Sequence, residues 1–351
     1  MVSYILRRLM LIPLTLLGIM TVNFFVIQTA PGGPVEQTLL MMAEATGGLA
    51  SESGAGDTTL YRGKQGLDNE HIEHIRKQFG FDRPLHERYL MMLADYARFE
   101  LGESFYQSKP VTEMVIDALP VSISLGVLST LIIYIISIPL GILKAIRSGS
   151  RLDGISSWIV VVGYAVPSFM FAILFIIFLA GGRFLDWFPM RGMASDDFHT
   201  LSWARQVLDW LWHMTLPVTA MVMSGFASLT LLTRNSFLEE ISKQYVITAR
   251  AKGLIERRVL YGHVFRNAML IVIAGFPATL IAMFLTGSIL IESIFSLNGL
   301  GLLGFEAVVR RDYPVVFGSL YIFGLIGLVM NLTSDIALHL VDPRITFESA
   351  P

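Results

Sequence analysis

The 351-residue chain contains no cysteine. Disulfides, thiolate metal sites and cysteine nucleophiles are therefore excluded, even where a segment faces an oxidising compartment. Charge is scarce as well: Asp, Glu, Lys and Arg make up 15% of the residues, whereas a soluble globular domain carries about 25%. The net charge of −2 leaves no basic excess, so nucleic acid is excluded as an electrostatic partner. Catalytic signatures are missing too. No G-x-x-x-x-G-K-[ST] occurs, which rules out P-loop nucleotide hydrolysis, and no H-E-x-x-H occurs. His71 and His74 stand three apart in an acidic region and read as a hydrated helix face rather than a metal site. Ser288 and Ser293 have no nearby His to support an intramembrane protease.

What the chain has instead is apolar length. Hydrophobic residues make up 54% of it, and the mean hydropathy is +0.61, which excludes disorder. Six stretches lack any Asp, Glu, Lys or Arg: Leu9–Val35, Ala118–Leu143, Gly154–Gly182, Trp210–Thr233, Asn267–Ile291 and Tyr313–Ser334. A helix crosses roughly 30 Å of hydrocarbon with about 20 apolar residues, and each stretch is long enough. The expected fold is all-α, a polytopic membrane protein with six transmembrane helices. Arg7 and Arg8 precede the first stretch as they would in a signal peptide. That stretch exceeds a signal h-region of about 7–15 residues and has no A-x-A site, so it reads as a retained span. Within the stretches the polar residues are neutral, among them Asn23, Gln28, Ser137 and Asn331. Asp335, His339 and Glu292 fall at span ends, where a charge reaches the interface. A proton relay or ion-coupling site needs charge inside a span, so the energy for any uphill transport is expected from elsewhere.

Basic residues near the membrane set the orientation. With the N-terminus inside, the cytoplasmic segments hold Arg7, Arg8, Lys144, Arg147, Arg151, Arg234, Lys243, Arg250, Lys252, Arg257, Arg258, Arg266 and Arg344. The short outer loops hold only Arg183, Arg191, Arg205, Arg310 and Arg311. Both termini are expected inside. The chain divides into an N-terminus with the first span (1–30), a long outer segment (31–118), a membrane domain (119–341) and a tail (342–351). In the outer segment, residues 45–56 read as a flexible loop. Ile72, Ile75 and Phe79, then Tyr89, Leu90, Leu93 and Tyr96, suggest two short amphipathic helices broken near Pro84. Trp187, Phe188, Phe198, Trp203, Trp210 and Trp212 read as an interfacial aromatic belt, with ligand binding as the alternative.

The cytoplasmic segment 234–268 carries the functional signal. Ser236 followed by Glu239 reads as a capping box opening a helix, with Glu239 and Glu240 in its first turn. Ile241, Tyr245, Thr248 and Ala249 are spaced to share one face. Lys252-Gly253 reads as the C-terminus, because glycine accepts the left-handed C′ conformation. A second helix restarts at Ile255–Glu256 and enters the fifth span. Ala249, Ala251 and Gly253 leave the turn almost without side-chain bulk, so another backbone can approach. The alternative is a basic helix resting on anionic lipid.

These residues carry a resemblance. Glu239-Glu240, Tyr245-Val-Ile-Thr-Ala-Arg-Ala-Lys-Gly-Leu254 and His263-Val-Phe-Arg-Asn-Ala268 resemble the EAA loop of ABC-importer permeases of the dipeptide/oligopeptide/nickel family. Tyr4-Ile-Leu-Arg-Arg8, Ala30-Pro-Gly-Gly-Pro34, Ile291-Glu-Ser-Ile-Phe-Ser296, Gly299-Leu-Gly301, Arg311-Asp-Tyr-Pro-Val-Val316 and Asp342-Pro-Arg-Ile345 resemble further family segments. Gly33, Gln244, Ile271 and Leu297-Asn298 depart from the usual pattern and are similar to the B-type permease of the Yej subgroup. The resemblance implies a type I ABC-importer permease fold in the bacterial inner membrane. It implies import of oligopeptides, including microcin C-like peptides, with no enzymatic activity and no cofactor in this chain. The implied partners are a second homologous permease, a cytoplasmic ATPase that uses ATP and Mg, a periplasmic peptide-binding protein and membrane lipid. The implied ATPase-docking residues are Glu240, Tyr245, Thr248, Ala249, Arg250, Ala251, Lys252, Gly253 and Leu254. The binding protein would dock on 31–118 and on the loop near Gly299–Tyr313. Pro139, Pro167, Pro217 and Pro277 read equally as functional kinks or as tolerated membrane prolines. A secondary carrier or channel, and a non-transporting assembly subunit, are the competing classes.

Overall fold

The computed structural model describes residues 2–29, 83–107, 109–182, 184–285 and 289–341. The expected 45–56 loop, Ile72, Ile75, Phe79, the Ala30–Pro34 motif and the tail from Asp342 lie outside the described residues.

Among the described residues the regular structure is helical. α1 is Val2–Thr29, α2 Leu85–Ala97, α3 Val111–Ile146, α4 Arg151–Ala165 and α5 Ser168–Phe175, prolonged by a π-helical turn at Ile176–Ala180. α6 is Trp203–Ile241, α7 Gln244–Ala251 and α8 Glu256–Val259, which runs through a π turn at Leu260–Val264 into α9, Phe265–Leu285. α10 (Ile289–Ile294), α11 (Leu300–Arg310) and α12 (Tyr313–Val341) complete the chain. Among the described residues, five helical stretches are long and apolar enough to cross a membrane: Ser3–Val26, Val111–Ile146, Trp203–Ile241, Glu256–Phe276 and Tyr313–Ala337.

The third apolar stretch departs from expectation. It is not one rod: α4 and the helix from Ser168 to Ala180 meet at 95°, and six spans result only if this bent pair counts as one. Proline explains the break. Pro167 has no N–H to continue the ladder and forces the preceding residue out of the α region. Val166 accordingly sits at φ −95°, ψ 121°. Pro139 and Pro217, by contrast, lie inside the continuous helices α3 and α6. Of Pro277 only the helical backbone is described.

Two compact units divide the chain. The first comprises Met1–Arg8, Val115–Phe305 and Ile326–Pro351. One of its cores joins Leu125 and Ile133 of α3, Val160 of α4, Ala172 of α5, Met214 and Ala220 of α6, and Ile291 of α10. Glycine sets the closest approaches. A Cβ on Gly163 would stand 2.7 Å from the Phe226 ring, and one on Gly141 would stand 2.6 Å from Thr233 Cβ. At the ends of the chain, Tyr4 donates to Asp335 at 2.7 Å and Arg8 donates to Tyr4 at 3.0 Å, fastening α1 to α12.

The second unit comprises Leu9–Met114 and Glu306–Leu325. Its helix α2 confirms the expected helix after Pro84, though Leu90 is exposed while Tyr96 is buried. Tyr89 stacks edge-on against Phe24, and Tyr96 against Tyr321, both at 5.3 Å. Asp312 gathers the turn after α2, accepting from Ser104 Oγ at 2.5 Å and from Phe105 N at 3.2 Å. The stretch Gly299–Tyr313 was expected to be a loop, but Leu300–Arg310 is helix α11.

Candidate functional site

At 39 residues, α6 is about 58 Å long at 1.5 Å per residue, far more than a bilayer core requires. This length overturns the helix start expected at Ser236. Residues before Ser236 are already helical, so no free N–H groups await a cap. Ser236 Oγ instead donates to the Ala268 carbonyl of α9 at 2.7 Å, and Phe237 is buried. The helix stops at Ile241, where Ser242 and Lys243 donate to the carbonyls of Glu239 (3.3 Å) and Glu240 (3.2 Å). Lys243 turns to an extended backbone, ψ 151°, and α7 begins.

Glu240 stitches the two helices together. Its carboxylate pairs with Lys243 Nζ and accepts from the Tyr245 hydroxyl at 2.7 Å. The hydrogen bond to Glu240 holds the Lys243 ammonium above its ordinary pKa. Burial first, and Glu240 second, push the Tyr245 phenol up.

α7 presents two faces. Val246 and Ala249 are buried against Ile142 of α3, Phe237 of α6 and Met269 of α9, with Tyr245 and Leu254 half-buried beside them. Thr248, expected on that inner face, is exposed and donates to the Gln244 carbonyl at 3.0 Å. The reason is angular: Val246 and Ala249, three residues apart, share a face that Thr248 does not. Arg250, Ala251, Lys252 and Gly253 are exposed. So are Ile247 and Ile255, the latter at 77%, large apolar side chains left bare beside the turn.

The turn ends α7 as its sequence requires. Gly253 N–H donates to the Arg250 carbonyl (2.9 Å) and Leu254 N–H to the Ala249 carbonyl (3.3 Å), the pair of bonds that defines a Schellman cap. Gly253 sits at φ +78°, and a Cβ built on it meets nothing within 4 Å. The space above the turn is open in this chain. Arg250, before the turn, pairs with Glu256 after it, donating through Nε at 3.1 Å and Nη2 at 2.6 Å. That contact holds Arg250 above its ordinary pKa.

Two charged clusters were not foreseen. Glu292, expected at an interface, is wholly buried. Its carboxylate accepts from Ser122 Oγ (3.2 Å) and Leu302 N–H (2.7 Å), while Ser122 Oγ accepts from Leu300 N–H (2.8 Å). These two side chains cap α11. Gly299 is the glycine of that site, because a Cβ there would fall on the Glu292 carboxylate. Lys144, counted above as a loop cation, is also wholly buried. It pairs with Asp153 at 2.9 Å and donates to Ser156 and Ser157 at 2.8 Å. Arg234 reaches the same carboxylate at 3.1 Å. This clasp fastens α6 to the α3–α4 hairpin shortly before α7. The expectation of a fold without buried charge is thereby corrected. The residues were visible in the sequence, but their partners were not.

Residues 137–347 match the model of the family described as binding-protein-dependent transport system inner membrane component. The chain belongs to that family. It is 56% identical to the inner membrane ABC transporter permease protein YejB of Escherichia coli O157:H7 over 99% of both chains. It is 55% identical to the peptidoglycan transport system permease protein YejB of Agrobacterium fabrum, over 99% of this chain and 98% of that one. The oligopeptide transport system permease protein AppB of Bacillus subtilis is 34% identical, over 99% of this chain and 100% of its own. Among solved structures, the inward-facing MetNI methionine ABC transporter is similar in fold. Its TM-score is 0.50 at 15% identity, covering 67% of this chain and 99% of that chain. The family match spans the turn at Gly253, the clasp at Asp153 and Glu292, whereas Ser122 precedes it. The chain is thus a multi-pass inner-membrane permease of the ABC-importer type, and the carrier and channel readings are set aside.

Proposed function

We propose that this permease carries oligopeptides inward across the bacterial inner membrane, driven by a separate ATPase that seats on residues 245–254. The turn at Gly253 supports this reading most directly. It is exposed, lacks side-chain bulk, and is flanked by bare Ile247 and Ile255. Its inner face, Val246 and Ala249, is embedded in a core shared with α3, α6 and α9. A force applied at the turn would therefore move three long helices together. Resting on lipid would not account for a bulk-free, left-handed turn.

Peptide as the substrate class is supported by the relatives, whose names specify oligopeptide and peptidoglycan transport systems. Peptidoglycan-derived peptides and microcin C-like peptides both fall within that class. A second homologous permease completes the pathway, a periplasmic binding protein delivers the peptide, and ATP with Mg is used by the ATPase alone. Both termini lie in the cytoplasm.

Reconstitution tests this. Vesicles holding both permeases, the ATPase and the binding protein should accumulate a labelled oligopeptide when ATP is supplied. Omitting either this chain or the ATPase should abolish uptake. Uptake that persists without the ATPase would sink the proposal.

A further inference from the structure

Inside a bilayer, each backbone polar group needs a partner from protein or from water. Most helix breaks in this chain meet that demand internally. At Gly253 the cap satisfies the carbonyls of Ala249 and Arg250. At the outer end of α5, where a π turn loosens the ladder, the Phe178 carbonyl accepts from Leu185 N–H at 3.1 Å. The Leu179 carbonyl accepts from Trp187 and Phe188 at 2.9 and 3.2 Å.

The break between α4 and α5 is different. Val166 N–H returns to Val162 and Met170 N–H to Pro167, at 3.1 and 3.0 Å. Pro167 has no N–H for the Gly163 carbonyl. Gly163 is buried, and among the described residues no donor reaches the carbonyls of Tyr164 or Ala165. Tyr164, Ala165 and Pro167 are exposed. The break falls near the middle of the charge-free stretch Gly154–Gly182. Within hydrocarbon such irregular backbone is tolerated only inside protein or beside water.

Two unanswered, exposed acceptors with no fixed charge beside them suit a ligand that offers N–H donors whatever its side chains. A peptide main chain does so. We propose that the segment Tyr164–Ser168 lines the transport path, and that the carbonyls of the exposed Tyr164 and Ala165 accept hydrogen bonds from the main chain of a peptide in transit. Water fills these positions when the path is empty. The inference rests on the peptide-importer reading above and adds to it where, and through which atoms, the peptide is held.

The lack of native cysteine makes the test direct. Ala165→Cys and, on another face of α4, Ile159→Cys are placed singly in this chain. Each is reconstituted with the second permease, ATPase and binding protein, then treated with a membrane-impermeant methanethiosulfonate reagent, which reacts only with thiols that water reaches. Modification of this chain is followed by mass, and ATP-driven uptake of labelled penta-alanine is measured in parallel. The Ala165→Cys thiol should react at least about tenfold faster than the Ile159→Cys thiol, since only the former faces water. Penta-alanine under turnover should slow its reaction severalfold. If Ala165→Cys reacts as slowly as Ile159→Cys while uptake proceeds, the break is covered by lipid or by the partner permease, and the inference fails with the transport reading intact. Fast labelling that a transported peptide leaves unchanged would refute the peptide contact. Absence of penta-alanine uptake by the wild-type complex would instead count against the peptide-importer reading.

Discussion

The guanidinium of Arg250 and the carboxylate of Glu256, on either side of the Gly253 turn, pair through two hydrogen bonds, at 3.1 and 2.6 Å. Arg250 thus braces the turn from within, and the charge is already occupied before any ATPase arrives. An exposed pair of this kind contributes only about 0.2–1 kcal/mol, so its effect should be on the shape of the turn more than on stability. Arg250→Ala and Glu256→Ala should weaken ATPase retention to a similar, partial degree, and the double variant should be no worse than either alone. Additive losses would mean that Arg250 contacts the ATPase directly.

Gly299 is placed against Glu292 as closely as backbone allows. Gly299→Ala drives a methyl group into the carboxylate that caps α11, and overpacking of this kind destabilises by about 1–3 kcal/mol. Detergent-solubilised protein should unfold at a lower temperature than wild type and should transport poorly. Gly18→Ala, where a Cβ meets nothing within 4 Å, should change neither. Glu292→Gln, which keeps an oxygen for Leu302 N–H, should be milder than Glu292→Ala. A Gly299→Ala protein as stable as wild type would dismiss the steric argument.

Asp153 neutralises the wholly buried Lys144. Removing one member of a buried pair strands the other and destabilises by about 3–5 kcal/mol. Asp153→Ala should therefore be poorly folded, and combining Asp153→Asn with Lys144→Met should recover much of the loss in thermal stability. No recovery in the double variant would show that Asp153 acts through Arg234 rather than through Lys144.

Orientation has its own test. Cysteines introduced at Ser53 and Ser349 should label oppositely with an impermeant maleimide added outside intact cells stripped of their outer membrane. Ser53→Cys should react and Ser349→Cys should not. The reverse pattern would place the Gly253 turn outside and remove any access to a cytoplasmic ATPase.

The spans were legible because hydrocarbon imposes a crude length requirement that composition alone reports. The cap at Gly253 was legible because one glycine after Lys252 announces a left-handed residue without knowledge of the rest. Ser236 and Glu239 misled because a capping pattern marks a helix start only where the chain is not already helical, and α6 runs through it. Glu292 was underestimated because its partner Ser122 lies 170 positions away. Asp153 and Arg234, 81 positions apart, form a contact that local pattern does not encode. The break at Val166 follows from Pro167, yet Pro139 and Pro217 carry the same signal and leave their helices whole.

The central claim is that an ATPase seats on the Gly253 turn, and retention of that ATPase measures it. Gly253→Val forces a β-branched residue into a left-handed position, at a penalty of about 1–2 kcal/mol, and fills the open space above the turn. Gly192→Val imposes the same backbone strain at φ +83° in the loop between α5 and α6. Gly253→Asn tolerates the conformation but adds bulk. All three should insert in the membrane and pair with the second permease. Gly253→Val and Gly253→Asn should lose the ATPase on co-purification and lose ATP-driven uptake, while Gly192→Val keeps the ATPase bound. A Gly253→Val complex that retains its ATPase and transports like wild type would contradict the account.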